Sequence, residues 1–188
     1  MTHNRETTAW RFLKRNPNYQ IELHENKAIK PTSQLSYFHF FSKQRENDQY
    51  AEKWGLYAFE NTQPLQQKRS PFWIDTPTLE ADIIQSADNS ILSLVQKSKA
   101  IISALQLLNN DLLLKIENIQ LSIQIRIRNG CTFSAKDGLS IRSPLDLSFP
   151  QQMNGLTQLW QIINQPFDEA TYFLKMGRIF SRFGWRFS

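Results

Sequence analysis

At 188 residues, with 40% apolar and 21% charged side chains, the chain can bury one sizeable core and is too apolar for a disordered tail. Its single cysteine, Cys131, excludes an intramolecular disulfide, and no apolar run approaches the roughly 20 residues of a membrane-spanning helix. Residues 2–5 are polar rather than a secretory leader, so the cytoplasm is the expected compartment; a net charge of +5 leans toward a polyanionic partner without demanding one.

In chain order, Thr7 or Thr8 is predicted to cap a helix over residues 9–16, which Pro17 interrupts by removing a backbone donor and restricting Asn16. Residues 19–23 open a second short helix. A third is predicted from near Ser42, carrying Tyr50 and Trp54 four apart on one face and stopped by Gly55. Residues 61–71 read as a polar loop, and Ser70-Pro71-Phe72-Trp73-Ile74 as an extended aromatic segment expected to lie across a helical surface. Asp75-Thr76-Pro77 marks the expected boundary, giving a helical module over 1–75 and a second unit over 76–188.

The second unit changes period. Residues 80–85 and 90–97 read as strands joined by a turn at Ala87-Asp88-Asn89. Ile101, Ile102, Leu105 and Leu108 fall at helical spacing, with a strand as the rival assignment. Leu121, Ile123, Ile125 and Ile127 then alternate strictly with Ser122, Gln124, Arg126 and Arg128, the pattern of a strand with one apolar and one wet, basic face. Asn129-Gly130 suits a tight hairpin, so residues 131–134 and 139–141 should complete a three-stranded antiparallel meander. Residues 151–164 return to helix, with Met153, Leu156, Trp160 and Ile163 on one face, and Asp168 is predicted to cap a last helix over 169–183. The expected fold class is α+β: a small helical N-terminal module followed by an antiparallel meander sheet with flanking helices.

Catalytic signals are sparse. The sequence contains neither a phosphate-cradling glycine loop nor a cysteine pair, and its three histidines are not spaced for metal. His39 sits within Tyr37-Phe38-His39-Phe40-Phe41 and reads as a packed residue; Cys131, with no histidine near it in sequence, reads as a small hydrophobe. The expectation is a protein that is not an enzyme and uses no metal or cofactor.

Cations are more informative. Residues 174–188 hold four basic and no acidic side chains. Lys175, Arg178 and Arg182 share one stripe of the predicted last helix, opposite Tyr172, Phe173, Met176, Ile179, Phe180 and Phe183, and Arg186 extends the set. Such a stripe can neutralise phosphates and release counterions; it can equally be a solvated face, or lie on lipid or in a partner's groove. Arg126, Arg128 and Arg142 form a second candidate surface on the predicted sheet.

Three ordered motifs carry a resemblance. Trp10-Arg11-Phe12-Leu13-Lys14-Arg15-Asn16-Pro17-Asn18-Tyr19 resembles the opening "W-x-F-L-R-R-N-P-x-Y" of the transcriptional-regulator-like domains of proteobacteria. Ala51-Glu52-Lys53-Trp54-Gly55-Leu56 is similar to their "A-x-x-W-G-L" element, and Ser70-Pro71-Phe72-Trp73 to their "P-x-F-W" close. The run from Pro144-Leu145-Asp146 to Leu159-Trp160 resembles, more loosely, the partner regulator domain often fused to them. Fused proteins of this kind regulate conjugative elements, and similar ones activate type VI secretion genes. The resemblance therefore implies a promoter-binding activator with double-stranded DNA, a second copy of itself and RNA polymerase as partners. Its expected DNA contacts are Lys175, Arg178, Arg182 and Arg186, then Arg126, Arg128 and Arg142. Arg11, Lys14 and Arg15 can also reach phosphates, or, since Arg11 and Arg15 are four apart, simply line a solvated face, while Trp10, Phe12, Leu13, Tyr19 and Trp54 are expected to build the small module's core or to dock it on the sheet. The chain departs from the partner domain's usual helix-turn-helix ending, echoed only by Gly184-Trp185-Arg186, so no recognition helix is assigned. The alternative is a protein-interaction module or anti-activator that holds another regulator without touching DNA.

Overall fold

The structure, a computed structural model, describes residues 2–35, 38–42, 48–60, 70–85, 90, 93, 98, 100–118, 120–134, 136–142 and 149–164. Helix α1 (Thr2–Leu13) starts well before the predicted cap at Thr7 or Thr8, and Glu6 anchors this early turn by accepting from Thr76 Oγ1 at 2.6 Å. Pro17 ends it as expected and opens α2 (Pro17–Asn26), where Asn16 Oδ1 accepts the backbone N–H of Asn18 at 3.0 Å and of Tyr19 at 3.5 Å.

The first 75 residues are not wholly helical. β1 (Pro31–Leu35) and β2 (Phe38–Ser42) form an antiparallel pair, and β2 runs parallel to β4 (Ile101–Gln106) within the main sheet. An aromatic-rich run favours a strand that packs on a pleated surface, which is why Phe38–Ser42 joins the sheet. Consequently no helix starts at Ser42; α3 is the short Asp48–Glu52, followed by a turn in which Gly55 takes φ +73°, the left-handed conformation expected of a helix stop.

The sheet has seven strands in the order β1-β2-β4-β5-β6-β3-β7, with β3 at Thr78–Ile84, β5 at Leu112–Glu117, β6 at Ser122–Ile127 and β7 at Gly138–Arg142. It is mixed, not purely antiparallel: β2 and β4, and β3 and β6, run parallel. A three-stranded antiparallel meander exists, but it is β4-β5-β6, ending on the strand with which the predicted meander begins. Residues 101–106 are strand because their neighbours on both sides are; Ile102 and Ala104 pack on one face and Leu105 on the other. β5, unassigned from sequence, is buried along its whole length, as a central strand covered on both faces must be.

Asn129-Gly130 does not form the predicted hairpin. Asn129 takes φ 49° and leads into a 3-10 turn (Gly130–Thr132), and the chain crosses to pair β7 with β3 rather than β6. A Cβ on Gly130 would lie 2.5 Å from Leu112 Cβ, so glycine is required there by close approach to β5. Of the predicted strand over 90–97, only Ser90 and Ser93 lie within the described residues, and Ser93 is helical.

Helix α4 (Phe149–Asn164) covers one face of the sheet, over β3, β5 and β6. Gly155, Leu159 and Ile162 are its buried residues, packed with Leu79, Ile123, Ile125 and the other apolar residues of that face. Its apolar stripe is rotated from the expected one: Leu156 and Ile163 are half-buried, while Met153 and Trp160 are exposed. The opposite sheet face is covered by residues 70–73. Phe72 joins Ile29, Phe41, Ala58, Leu105 and Leu113 there, so this part of the aromatic segment lies on the sheet, and only Trp73 meets the helices as expected. Trp73 reaches onward to a third cluster of Trp10, Tyr19, Ala51, Leu56 and Phe59. No described helix is long and apolar enough to cross a membrane.

Candidate functional site

The predicted cations fall into three groups. Lys175, Arg178, Arg182 and Arg186, with the predicted last helix, lie outside the described residues. Arg126, Arg128 and Arg142 do share one sheet face, but each meets a carboxylate. Arg126 grips Asp111 through Nε and Nη2, both at 2.8 Å from Oδ2; Arg128 Nε lies 3.5 Å from Glu80 Oε2; and Arg142 makes a two-pronged pair with Asp82. β3, inserted between β6 and β7, supplies Glu80 and Asp82. Three cations therefore face three anions, and the wet basic face anticipated for β6 is charge-balanced. Burial pushes Asp111 up, but hydrogen bonds from Arg126, Asn129 and Asn109 outweigh it and hold the carboxyl below its usual range. Hydrogen bonding from Arg142 likewise lowers Asp82. The sequence signal for this array was the Glu80/Asp82 alternation on a predicted strand.

The polar face of β6 is covered at Ser122 and Gln124, while Arg126 and Arg128 stay partly open to solvent. Gln124 is fully buried and donates through Nε2 to Trp73 O at 2.9 Å. Beside it, Lys115 Nζ donates to Ser70 O at 2.8 Å, to Pro71 O at 2.5 Å and to Ser70 Oγ, lies 3.7 Å from Glu117 Oε2, and sits 5.8 Å from the Phe72 ring centre. Glu117 accepts the Ser70 hydroxyl at 2.8 Å and its backbone N–H at 3.1 Å. A serine between a lysine and a glutamate invites a catalytic reading, but the ammonium donates three bonds to oxygen and retains no lone pair with which to act as a base. The cluster is a staple that ties residues 70–73 to the sheet. Among the described residues, no three His, Cys, Asp or Glu side chains gather as a metal site.

The third cation group is at the α1–α2 corner. Arg11 and Arg15 are exposed and have no carboxylate partner among the described residues, and Lys14 Nζ lies 5.9 Å over the Trp10 ring. Against this corner opens a groove of about 650 Å³, lined by Ala9, Phe12, Leu13, Arg15, Asn16, Pro17, Trp54 and Trp73. All three motifs of the sequence resemblance meet in it. Phe12, expected in the core, is instead 72% exposed at its edge, whereas Trp10, Leu13, Tyr19 and Trp54 do pack together.

The groove walls are fixed from below. Tyr19 is fully buried; its hydroxyl donates to Glu60 O and accepts from Glu60 N, both at 3.2 Å, and burial pushes its pKa upward despite the bond to the Glu60 carbonyl. Tyr19 packs edge-on against Trp54 at 5.5 Å. Trp54 Nε1 donates to Glu22 Oε2 at 2.9 Å, and Lys53 Nζ meets the other Glu22 oxygen at 2.5 Å, which lowers the carboxyl's pKa. Trp73 is held by a bridge to Leu56 and by Gln124. Sequence reasoning named the rings and the cations; it missed that folding leaves a groove between them. No family model, curated protein or solved structure matches the chain.

Proposed function

We propose that the chain is a DNA-binding transcriptional regulator, an activator that works as a homo-oligomer on promoter DNA and has no catalytic role. The observation that carries this reading is the contrast between the two described cation sets. Those on the sheet are neutralised in place, whereas Arg11 and Arg15 stand exposed and unpaired among the described residues, beside Lys14 on the first motif of the regulator resemblance. Exposed unpaired cations can exchange counterions for phosphates; a guanidinium already held by a carboxylate must first break that pair. The surplus of basic residues over 174–188 adds to the same end. Oligomerisation multiplies weak phosphate contacts into useful affinity, and activation of type VI secretion genes with RNA polymerase as partner follows from the resemblance.

The test is titration of a mixed-sequence duplex at two salt concentrations, followed by selection from a random duplex pool. Arg11→Ala/Arg15→Ala and Lys175→Ala/Arg178→Ala/Arg182→Ala/Arg186→Ala should each weaken binding. Each should also flatten the log–log salt slope by roughly 0.9 for every phosphate that is no longer neutralised. Arg128→Ala/Arg142→Ala should change little. If the wild-type protein retains no duplex at low salt, the reading fails. The second reading, a protein-interaction module, is favoured by one observation: a groove with two tryptophans and a solvent-exposed phenylalanine at its edge.

A further inference from the structure

We propose that the α1–α2 groove is a docking site for a short segment of a partner protein that carries a bulky apolar anchor flanked by carboxylates. This rests on the interaction reading and does not require DNA contact. Its first support is composition. Trp and Arg are the side chains that dominate binding energy at protein interfaces, and here Trp54, Trp73 and Arg15 line one concavity, with Phe12 presenting most of its ring to solvent. A phenylalanine this exposed at the edge of an apolar groove makes no contribution to the three core clusters of the fold.

The second support is rigidity. Asn16 is committed as the cap of α2, Pro17 has a fixed φ, Trp54 is held between Tyr19 and Glu22, and Trp73 is held through its backbone. A preformed groove spends little affinity on ordering its own walls. Its volume falls within the range of roughly 300–1,000 Å³ typical of ligand-sized sites.

Charge selects the occupant. The lining contains Arg15 and no carboxylate, with Arg11 and Lys14 on the adjoining turn. Of the acids close in sequence to the lining, Glu22 is engaged by Lys53 and Trp54 and Glu6 by Thr76, while Glu52 and Asp75 are exposed and outside the lining. An apolar floor with an unbalanced cationic rim is complementary to an acidic, apolar-anchored peptide and repels a basic one. Aliphatic Ala9, Leu13 and Pro17 in the lining favour an apolar side chain over a stacked nucleobase, for which a platform of rings alone would serve. Where the DNA reading also holds, the two ligands compete, because the partner's carboxylates would cover Arg15.

The test pans a random-peptide phage library on the full chain, with Phe12→Ser protein as the counter-target. Phe12 is exposed enough for this variant to keep its fold, checked by an unchanged thermal midpoint. Recovered sequences should converge on a Leu, Phe or Trp flanked by Asp or Glu. The corresponding synthetic peptide should bind at least ten-fold more weakly to Phe12→Ser and to Arg15→Glu, and more weakly at high salt. Convergence on apolar anchors without acids would overturn the acidic occupant while leaving an interaction site. Displacement of every groove-dependent clone by oligo-dT, with no acidic consensus, would transfer the groove to single-stranded nucleic acid. Failure to enrich any clone that discriminates wild type from Phe12→Ser would remove the proposal, whereas enrichment of acidic-anchored clones that bind both proteins equally would keep the interaction reading and move it to another surface.

Discussion

Lys115 shows most clearly how one residue's environment decides its meaning. An ammonium that is 1% exposed persists only because three oxygen acceptors and the Glu117 carboxylate surround it. Replacing it with methionine would leave Glu117, itself 3% exposed, without its compensating charge. Lys115→Met is expected to lose about 3–5 kcal/mol in urea unfolding, and the added change Glu117→Gln to recover part of that loss, since the orphaned charge goes with it. Equal losses in the single and double variants would show that the pair itself contributes little. None of this was legible in the sequence, where Lys115 is one lysine in an apolar run and Ser70 is 45 residues away. What was legible at this scale were the rings: Trp10, Tyr19 and Trp54 were placed in one small core and are found there. Phe12 was misplaced because helical spacing assigns it no face until α2 and the Trp54 turn are in position, and those leave it outside.

At the scale of elements, local pattern succeeded where one face is apolar and failed where pairing is decided at a distance. β6 was read as a strand from alternation, and α2 was anticipated from the break at Pro17, although its cap, Asn16, was not. The strand β4 has helical spacing as well as strand spacing, and only its neighbours in the sheet choose between them. The Asn129-Gly130 dipeptide is the sharpest case. Its hairpin signal rests on positive φ, which Asn129 does adopt, yet β3 occupies the place beside β6 that a hairpin partner would take. Gly130 serves instead as the point where the turn presses on Leu112 and Ile127. Gly130→Ala should therefore destabilise by about 1–3 kcal/mol, the range for overpacking, although alanine is the better residue for a helical turn. A thermal midpoint equal to that of wild type would mean the turn moves aside freely and the close approach has no energetic weight.

At the scale of the whole molecule, the described residues divide by role: the sheet arginines are balanced in pairs, whereas Arg11 and Arg15 at the α1–α2 corner have no carboxylate partner among those residues. The sequence total of +5 cannot reveal this division, because pairing depends on which strands lie side by side. The sheet pairs of Asp82 and Asp111, and the Glu22–Lys53 pair of α2, link stability to pH. Glu22, Asp82 and Asp111 all have folded pKa values below those of free carboxylates, so the stability they contribute is fully present above the unfolded values near pH ~4 and is lost as pH falls through the folded ones. The thermal midpoint should accordingly vary little with these groups between about pH 7 and 5, then drop on further acidification. Asp111 is the group to isolate, because it ties Arg126 of β6 to the β4–β5 turn and also accepts from the backbone of Asn129 at 3.2 Å. Asp111→Asn should lower the midpoint at neutral pH, and its deficit relative to wild type should shrink as the medium is acidified, since protonation removes from wild type the charge the variant already lacks. A deficit that stays constant down to about pH 2 would mean that Asp111 acts through its shape and neutral hydrogen bonds, and that the Arg126 pair contributes nothing to holding the sheet together.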